Sequence, residues 1–194
     1  GYGRGHNVAF SQCSASKYHL VLNPDIILAP TTINALASFM NDNPDIGMVC
    51  PKVVNPDGTL QHLNKRYPTL LDLFIRRFIP GFIATLFRKR LHRYEMRDKG
   101  YDSVCDIESM SGAFMFCRTD VLKKIGGFDP RYFMYFEDFD LTRKFQKFGY
   151  RTVYYPDASV IHLWERAAHK KLRMTCVFII NMIKYFNKWG WKIY

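Results

Sequence analysis

The sequence predicts an α/β domain in which helices flank a central sheet. Compact apolar runs of strand length, such as residues 18–22 and 113–117, alternate along the chain with longer segments of helical type. Hydrophobic residues make up 48% of the 194 residues, which is enough for one packed core and argues against a disordered chain. Neither internal repeats nor low-complexity segments interrupt this pattern.

The first part of the chain is predicted to alternate helix and strand twice. The segments are a helix at 7–16 with Asn7 near its cap, a strand at 18–22, a helix at 33–41 and a strand at 47–50. Residues 55–58 (Asn-Pro-Asp-Gly) form a strong turn signal. The strand at 18–22 ends abruptly in Asn23, Pro24 and Asp25, and strand ends are where α/β folds place ligands.

Residues 65–99 have a different composition from the rest of the chain. Nine Lys and Arg lie between Lys65 and Arg97, opposed only by Asp72 and Glu95, and apolar residues are interleaved with them. Pro80 and Gly81 should divide the stretch into two short helices. We interpret it as a basic amphipathic insertion, and for residues 70–93 the pattern favours attachment to a membrane surface.

The second part of the chain continues the alternation. The predicted segments are a strand at 113–117, a helix at 118–124 with Thr119 as its cap, a helix at 137–147, strands at 150–155 and 160–162, and a helix at 170–187. We divide the chain into a core at 1–165, which carries the insertion, and a C-terminal basic and aromatic helix at 166–194. For this helix, packing on the core is favoured over a membrane role.

Charge and cysteine content limit the function classes. The net charge of +11 indicates an anionic partner, which could be nucleic acid, a phosphorylated ligand or an acidic membrane surface. The sequence lacks a zinc pattern, an RNP-type aromatic strand and a helix-turn-helix signal, so we expect no nucleic-acid partner. Five widely spaced cysteines without a CxxC pair indicate reduced thiols. No apolar run reaches the roughly 18–20 residues that a transmembrane helix needs.

Asp25 is a candidate metal ligand. Pro24 fixes the backbone as the chain leaves the strand, which directs Asp25 away from the strand end. A carboxylate there could hold Mg²⁺ or Mn²⁺, which prefer oxygen ligands and share them with phosphates. A plain turn is the alternative, and the tripeptide taken alone favours it.

Glu137 and Asp138 are candidate catalytic acids at the start of a predicted helix. Helix capping explains acids at this position equally well, because the helix dipole stabilises them. Flanking aromatic residues would remove water from a carboxylate and raise its pKa, which suits a general base. Taken alone, His162 favours a structural role, and Ser111, Gly112 and Ala113 fit either a sugar site or a tight turn.

Several motifs in one order point to a known family. They are the Gly-rich start with Asn7, Leu-Asn-Pro-Asp at 22–25, Asp-Gly-Thr-Leu at 57–60, Ser-Gly-Ala-Phe-Met at 111–115, the run from Gly126 to Leu141, and Pro156 followed by His162. This set resembles the family 2 inverting glycosyltransferases, in particular their rhamnosyltransferase-like branch. The resemblance covers roughly residues 1–165, and residues 126–141 are its most specific part.

The resemblance implies a GT-A fold, a Rossmann-like domain with a mixed, mostly parallel central sheet. It also implies transfer of a sugar, with rhamnose as the expected one, from a dTDP- or UDP-linked donor. The acceptor would be a glycan or a polyprenyl-diphosphate-linked glycan, and the setting bacterial cell-wall or polysaccharide biosynthesis. A non-catalytic sugar- or polyanion-binding module is the alternative.

Residue roles follow from the same resemblance. Asp138 matches the base and Glu137 a positioning residue, while Asp25 and His162 match ligands of a Mg²⁺ or Mn²⁺ ion. Positions matching nucleotide or diphosphate contacts are Gly3, Gly5, Asn7, Asn23 and Arg166. Ser111, Gly112 and Ala113 match the segment lining the donor sugar and acceptor. Asn23 stands where the wider family usually has the first acid of its metal motif, so metal binding rests mainly on Asp25.

The family's opening strand and helix have no counterpart in the sequence. We therefore expect an N-terminally truncated domain with weak or no catalysis by itself, and with a sheet edge open to pairing in a homo-oligomer. The expected location is the cytoplasm, with the inner face of the plasma membrane as the site of any peripheral membrane contact.

Overall fold

A mixed six-stranded sheet forms the centre of the protein, in a computed structural model that describes residues 1–12, 16–163 and 172–194. The strands are β1 (Tyr18–Leu22), β2 (Ile26–Leu28), β3 (Ile46–Val54), β4 (Cys105–Asp106), β5 (Phe114–Arg118) and β6 (Arg151–His162). The helices are α1 (Tyr2–Gln12), α2 (Thr32–Asp42), α3 (Leu70–Phe78), α4 (Gly81–Ala84), α5 (Arg88–Tyr94), α6 (Thr119–Lys124), α7 (Glu137–Lys147) and α8 (Leu172–Trp189). Short 3-10 turns lie at Thr85–Phe87 and Arg97–Lys99.

The sheet has the order β1-β5-β3-β6-β2, and β4 also pairs with β6. This confirms the predicted α/β fold with a mixed sheet. Antiparallel pairs nevertheless dominate among the described strands, since β3–β6 is the one parallel pair. The resemblance implied a mostly parallel sheet, and these pairs do not show one. The order of helices and strands along the chain does not determine which strands are neighbours in the sheet. Here β2 and β5 both run antiparallel to the strands beside them.

Strand β6 runs unbroken where the sequence pattern predicted two strands. Its register with β3 shifts between the Tyr155–Pro51 pair and the Ser159–Lys52 pair. Pro156 lies at this irregularity, and proline has no amide hydrogen for the ladder. The break predicted between two strands is therefore a shift in the pairing of β6 with β3, and β6 itself is continuous. Strands β2 and β4 were not predicted, because two or three residues are too few to show a period.

Helices cover both faces of the sheet. On one face, α2 places Leu36 and Met40 against the sheet residue Val49. On the other face, α1, α6 and α7 pack around a cluster that includes Met48 and Phe145. Met48 and Val49 are neighbours in β3 that belong to different clusters, as the alternation of side chains along a strand requires.

Helix α1 begins at Tyr2, earlier than predicted, so Asn7 lies inside the helix and is not its cap. Instead, the Asn7 side-chain nitrogen Nδ2 donates to the Phe128 carbonyl at 2.8 Å, and its Oδ1 accepts from the Phe128 backbone amide at 2.9 Å. Gly127 precedes Phe128 with φ of +59°, a conformation that favours glycine. Asn7 thus fastens α1 to the loop that leads into α7.

The basic insertion and α8 pack together through a third cluster. Its buried members are Leu73 of α3, Tyr132 and Phe136 before α7, and Tyr185 and Phe186 of α8. Helix α8 therefore packs on the core through one face, as favoured from the sequence. The chain breaks at Ile79 and Pro80 as predicted, although three short helices form where two were expected.

Two further expectations concern the whole chain. Cys50, Cys105, Cys117 and Cys176 are free, in agreement with the predicted reduced thiols, while Cys13 lies outside the described residues. Among the helices that the structure describes, none combines the length and the hydropathy needed to cross a bilayer.

Candidate active site

The turn after β1 brings Asp25 beside His162. Strand β2 pairs with the end of β6 so that Ile26 lies opposite His162, and the Leu163 amide donates to the Asp25 carbonyl at 2.9 Å. As a result, Asp25 Oδ1 lies 3.3 Å from His162 Nε2. The structure thus joins the two residues predicted as metal ligands, which are far apart in the sequence.

Gln61 sets the orientation of the His162 ring. Gln61 Nε2 donates to Asn55 Oδ1 at 2.6 Å and to the His162 carbonyl at 3.0 Å. Because both partners only accept, Gln61 Oε1 must be the oxygen that lies 2.8 Å from His162 Nδ1. Nδ1 therefore carries the proton, and in the neutral ring the lone pair of Nε2 faces Asp25. This is the form in which histidine binds metals.

The pair fits a divalent cation shared with a ligand. Two lone pairs that face each other at 3.3 Å repel unless a proton or a cation lies between them. Adjacent ligands of an octahedral ion with bonds of about 2.1 Å lie about 3 Å apart, close to this separation. No cluster of three or more His, Cys, Asp or Glu forms among the described residues. Asp25 and His162 therefore suit an ion that takes its other ligands from phosphates and water.

Asn23 and Ala113 connect this pair to the second half of the site. The Asn23 amide donates to the Ala113 carbonyl at 3.0 Å, so the end of β1 lies beside the start of β5. Asn23 is half-buried at this junction. The segment of Ser111, Gly112 and Ala113 therefore lies next to the turn that carries Asp25.

Asp138 makes direct contact with the Ser111–Ala113 segment. The Gly112 amide donates to Asp138 Oδ2 at 3.1 Å, and the Phe139 amide donates to Asp138 Oδ1 at 2.8 Å. A Cβ atom on Gly112 would lie 3.5 Å from Asp138 Cβ, so the backbone and the acid are in van der Waals contact. Asp138 therefore does not act only on its own helix, since one of its oxygens accepts from the turn before β5.

The pKa of both acids is raised. Burial raises the pKa of Asp138, although its hydrogen bonds from Gly112 and Phe139 oppose this. Burial and the charge of Asp138 raise the pKa of Glu137 to about 8. Glu137 Oε2 is buried and has no hydrogen-bond partner among the described residues. Two adjacent acids that resist ionisation in a cleft are typical of a general base and its neighbour.

A strained turn positions these acids. Tyr135 and Phe136 immediately precede α7 and both have positive φ, 68° and 66°. Bulky residues rarely adopt this left-handed conformation, which costs of order 1–3 kcal/mol each. Phe136 is held there by burial against Tyr185 and Phe139. The third cluster therefore stabilises the backbone that leads into Glu137 and Asp138.

Two clefts meet at Asp138. One, of about 390 Å³, is bordered by Ser111, Gln61 and Asp138 and leads towards the Asp25 side of the site. The other, of about 770 Å³, runs from Asp138 and Phe139 towards α3 and α8. Asp138 therefore lies where molecules from two directions could meet.

The residues predicted to contact the nucleotide have different surroundings in the structure. Gly3 packs on Phe128, since a Cβ there would lie 2.8 Å from Phe128 Cβ, and Asn7 is bonded to the same residue. Gly5 is exposed and has no atom within 4 Å of an added Cβ. Asn23 lies at the site, whereas Arg166 lies outside the described residues.

Sequence reasoning missed Tyr2 and Gln61 as residues of the site. Tyr2 donates from its hydroxyl to the Gly112 carbonyl at 2.7 Å, and burial together with the charges of Asp138, Glu137 and Asp25 raises its pKa. A lone Tyr or Gln carries no spacing signal. For Gln61, the local signal in the sequence was the turn at 55–58, which precedes it and includes Gly58 with φ of +80°.

Known proteins with similar sequences are named as glycosyltransferases. The model of a family described as glycosyltransferase-like family 2 matches residues 1–176. N-acetylglucosaminyl-diphospho-decaprenol L-rhamnosyltransferase of Mycobacterium tuberculosis (strain CDC 1551 / Oshkosh) is 30% identical over 148 residues, covering 74% of this chain and 46% of the relative. Rhamnosyltransferase WbbL of Escherichia coli (strain K12) is 25% identical over 169 residues, covering 84% of this chain and 60% of the relative.

Solved structures share the fold. GalNAc-T7 with UDP, GalNAc and Mn²⁺ matches with a TM-score of 0.62 at 12% identity, over 96% of this chain and 34% of that one. The mannosyltransferase PcManGT of Pyrobaculum calidifontis with GDP-Man and Mn²⁺ matches with a TM-score of 0.52 at 15% identity, over 97% and 43%. This chain spans about half the length of the curated relatives it matches. By its match over residues 1–176, the chain belongs to glycosyltransferase-like family 2.

Proposed function

We propose that this chain carries the metal and base side of an inverting glycosyltransferase site. The observation that carries the proposal is the position of Asp138. It accepts a hydrogen bond from the Gly112 amide at 3.1 Å and lines both clefts. Its raised pKa suits a carboxylate that takes a proton in the reaction.

In the proposed reaction, Asp138 accepts the proton of an acceptor hydroxyl. The hydroxyl oxygen then forms a bond to the anomeric carbon of the donor sugar as the bond to the diphosphate oxygen breaks. One base and one displacement invert the anomeric centre, and the nucleoside diphosphate leaves with the electron pair. Glu137 lies beside the base, and its negative charge when ionised would favour proton uptake by Asp138.

Asp25 and His162 would hold the divalent cation, Mg²⁺ or Mn²⁺, whose charge offsets that of the departing diphosphate. Gln61 keeps the His162 ring in the required form. Asn23 and the Ser111–Ala113 segment would line the donor between the cation and Asp138, because the Asn23 amide and Ala113 carbonyl connect the two halves of the site.

The names of the two curated relatives support rhamnose as the sugar, and one of them names a diphospho-decaprenol acceptor. We therefore propose dTDP-rhamnose as the donor, with UDP-linked hexoses as the alternative. A protein acting on such an acceptor would work at the membrane surface that contains it.

Calorimetry with a panel of nucleotide sugars, with and without Mn²⁺, tests the proposal. We expect metal-dependent binding that Asp25→Asn weakens and that Asp120→Asn leaves unchanged, because Asp120 is exposed on α6 away from the clefts. Binding of a glycan without dependence on metal or nucleotide would contradict the enzyme proposal and favour a sugar-binding module.

A further inference from the structure

Tyr2 contacts both segments that meet at the base. Its backbone amide donates to the Phe133 carbonyl at 3.2 Å, in the loop that leads into α7. Its hydroxyl donates to the Gly112 carbonyl at 2.7 Å, in the turn before β5. The Gly112 amide in turn donates to Asp138 Oδ2 at 3.1 Å. Tyr2 therefore links the same two segments that the bond between Gly112 and Asp138 joins.

Gly112 depends on its neighbours for the direction of its peptide groups. Glycine has the greatest backbone freedom of any residue, because it has no Cβ atom. A Cβ atom added to Gly112 would lie 3.5 Å from Tyr2 Cε1 and 3.5 Å from Asp138 Cβ. The tyrosine ring and the acid thus lie against the same side of this glycine. The Tyr2 hydroxyl restrains the Gly112 carbonyl, which shares an α-carbon with the amide that faces Asp138.

The hydroxyl is not needed to hold α1 on the core. The Tyr2 ring packs edge-on against Phe128, with 6.3 Å between the ring centroids, and its centroid lies 4.7 Å from that of His6. Asn7 is bonded to Phe128 through both polar atoms of its side chain. Tyr2→Phe would keep these contacts and, among the described residues, would remove one hydrogen bond, the one to Gly112.

Tyr2 acts through Gly112 and not on a ligand. The described residues that line the two clefts meeting at Asp138 do not include Tyr2. Burial raises the pKa of Tyr2, and the charges of Asp138, Glu137 and Asp25 raise it further. The hydroxyl therefore keeps its proton well above neutral pH and remains a donor to the Gly112 carbonyl.

We propose that Tyr2 is a positioning residue for the base, whose hydroxyl holds Gly112 so that the Gly112 amide stays directed at Asp138 Oδ2. The inference rests on the proposed function and adds to it a residue that touches neither donor nor acceptor. The bond from Gly112 stabilises the ionised carboxylate and opposes the rise in the pKa of Asp138 that burial causes. Loss of the hydroxyl should therefore leave Asp138 both less well placed and harder to ionise.

Tyr2→Phe tests the proposal through sugar transfer by the protein with the family's opening strand and helix joined ahead of residue 1. We expect kcat to fall about tenfold, because a displaced base accepts the proton less well. The KM for the donor should change less than about twofold, since Tyr2 lines neither cleft. The acidic limb of the pH profile of kcat/KM should move up by about 0.5 pH unit, because the hydrogen bond to the carboxylate weakens.

Tyr18→Phe is the matched control. It also removes one hydroxyl, which donates to Asn41 Oδ1 at 2.6 Å on the exposed surface beside β1. The kinetic constants and the pH profile of this variant should equal those of the wild type. The same shift in Tyr18→Phe would show that the effect does not come from the Gly112 contact.

Both variants leave the other ionisable groups around Asp138 in place. They are Glu137 on the same helix and, around the two clefts, His62, Lys65, Arg76, Arg77, Glu95 and Arg97. A change in the pH profile confined to Tyr2→Phe therefore reports the bond between Gly112 and Asp138.

A double-mutant cycle separates the positioning of the base from a general effect on the fold. Tyr2→Phe should change the transfer rate less than about twofold in a protein that already carries Asp138→Asn, because no base then remains to be positioned. A loss of about tenfold on both backgrounds would show that Tyr2 does not act through the base, and would overturn the inference.

The pKa of Asp138 provides a second readout that needs no turnover. NMR titration of the Asp138 carboxyl carbon, in carbon-13-labelled protein, should give a higher pKa in Tyr2→Phe than in the wild type and an unchanged pKa in Tyr18→Phe. An equal pKa in Tyr2→Phe and the wild type would overturn the inference, whether or not the protein transfers sugar. A raised pKa in Tyr2→Phe without any transfer by the wild type would contradict the proposed function and support the placement of Asp138 by Tyr2.

Discussion

Gln61 and His162 are joined by two hydrogen bonds, from His162 Nδ1 to Gln61 Oε1 at 2.8 Å and from Gln61 Nε2 to the His162 carbonyl at 3.0 Å. Both residues are buried, and 101 positions separate them in the sequence. The contact fixes which ring nitrogen faces Asp25. The metal affinity of the site should therefore depend on a residue that does not touch the metal.

Gln61→Leu should lower the affinity for Mn²⁺ about 10- to 100-fold, because the ring would lose the acceptor that fixes its proton on Nδ1. Titration of Mn²⁺ in the presence of UDP or dTDP measures this. Gln12→Leu is the control, since Gln12 is exposed at the end of α1. An unchanged Mn²⁺ affinity in Gln61→Leu would contradict the assigned role of Gln61.

Asp138→Asn should reduce the rate of sugar transfer about 10²- to 10⁴-fold, the usual contribution of a general base. An amide keeps the shape and can still accept from the Gly112 amide, so binding of the nucleotide sugar should persist. Transfer rates of the wild type and the variant, both measured at saturating donor with the family's opening strand and helix joined ahead of residue 1, give the ratio. Asp120→Asn is the matched control, and an equal loss in both variants would show that the effect is not specific to the base.

Local patterns predicted the elements well, while contacts between distant segments could not be read from the sequence. The bounds of β1 and α7 agree with prediction because an apolar run and a helix start with acids are local signals. Asp25 was a candidate from its position after β1, and His162 was named as a metal ligand from the motif resemblance. Only the pairing of β2 with β6 shows why they meet. Gln61 and Tyr2 were missed, since each acts through a partner far along the chain.

Asp140 shows how a motif residue can have a structural role. Arg143 lies one turn further along the same helix, but it lies over the rings of Tyr67 and Trp189. Asp140 is fully buried and instead accepts from Trp189 Nε1 at 2.7 Å and from Lys188 Nζ. It fastens the end of α8 to α7, two residues after Asp138.

Asp140→Ala should therefore lower the free energy of unfolding by about 1–3 kcal/mol, because Trp189 Nε1 loses its acceptor, while Lys188 keeps Asp129 as a partner at 3.0 Å. Urea unfolding monitored by tryptophan fluorescence measures this change. The control Asp120→Ala removes an exposed pair with Lys124 and should change the free energy by less than about 0.5 kcal/mol. Similar values for the two variants would show that Asp140 does not anchor α8.

Glu137 should make the protein less stable as the pH rises. Burial and the charge of Asp138 raise its pKa from 4.5 to about 8 in the folded protein, so between these pH values the folded state holds a proton that the unfolded chain has released. Stability falls with pH wherever the folded state binds more protons, by at most about 1.4 kcal/mol per pH unit for one group. The penalty is absent below about pH 4.5 and complete above about pH 8.

Glu137→Gln removes this titration and should flatten the decline in stability between pH 5 and 8, leaving the smaller decline that Asp138 causes through its own raised pKa. Urea unfolding of both proteins at intervals across that range measures the difference in slope. Because Gln is nearly the same size, the variant should match the wild type near pH 5 and exceed it at pH 8. Parallel curves would mean that Glu137 is ionised in the folded protein, and its burial beside Asp138 would then require a bound cation or water to stabilise it.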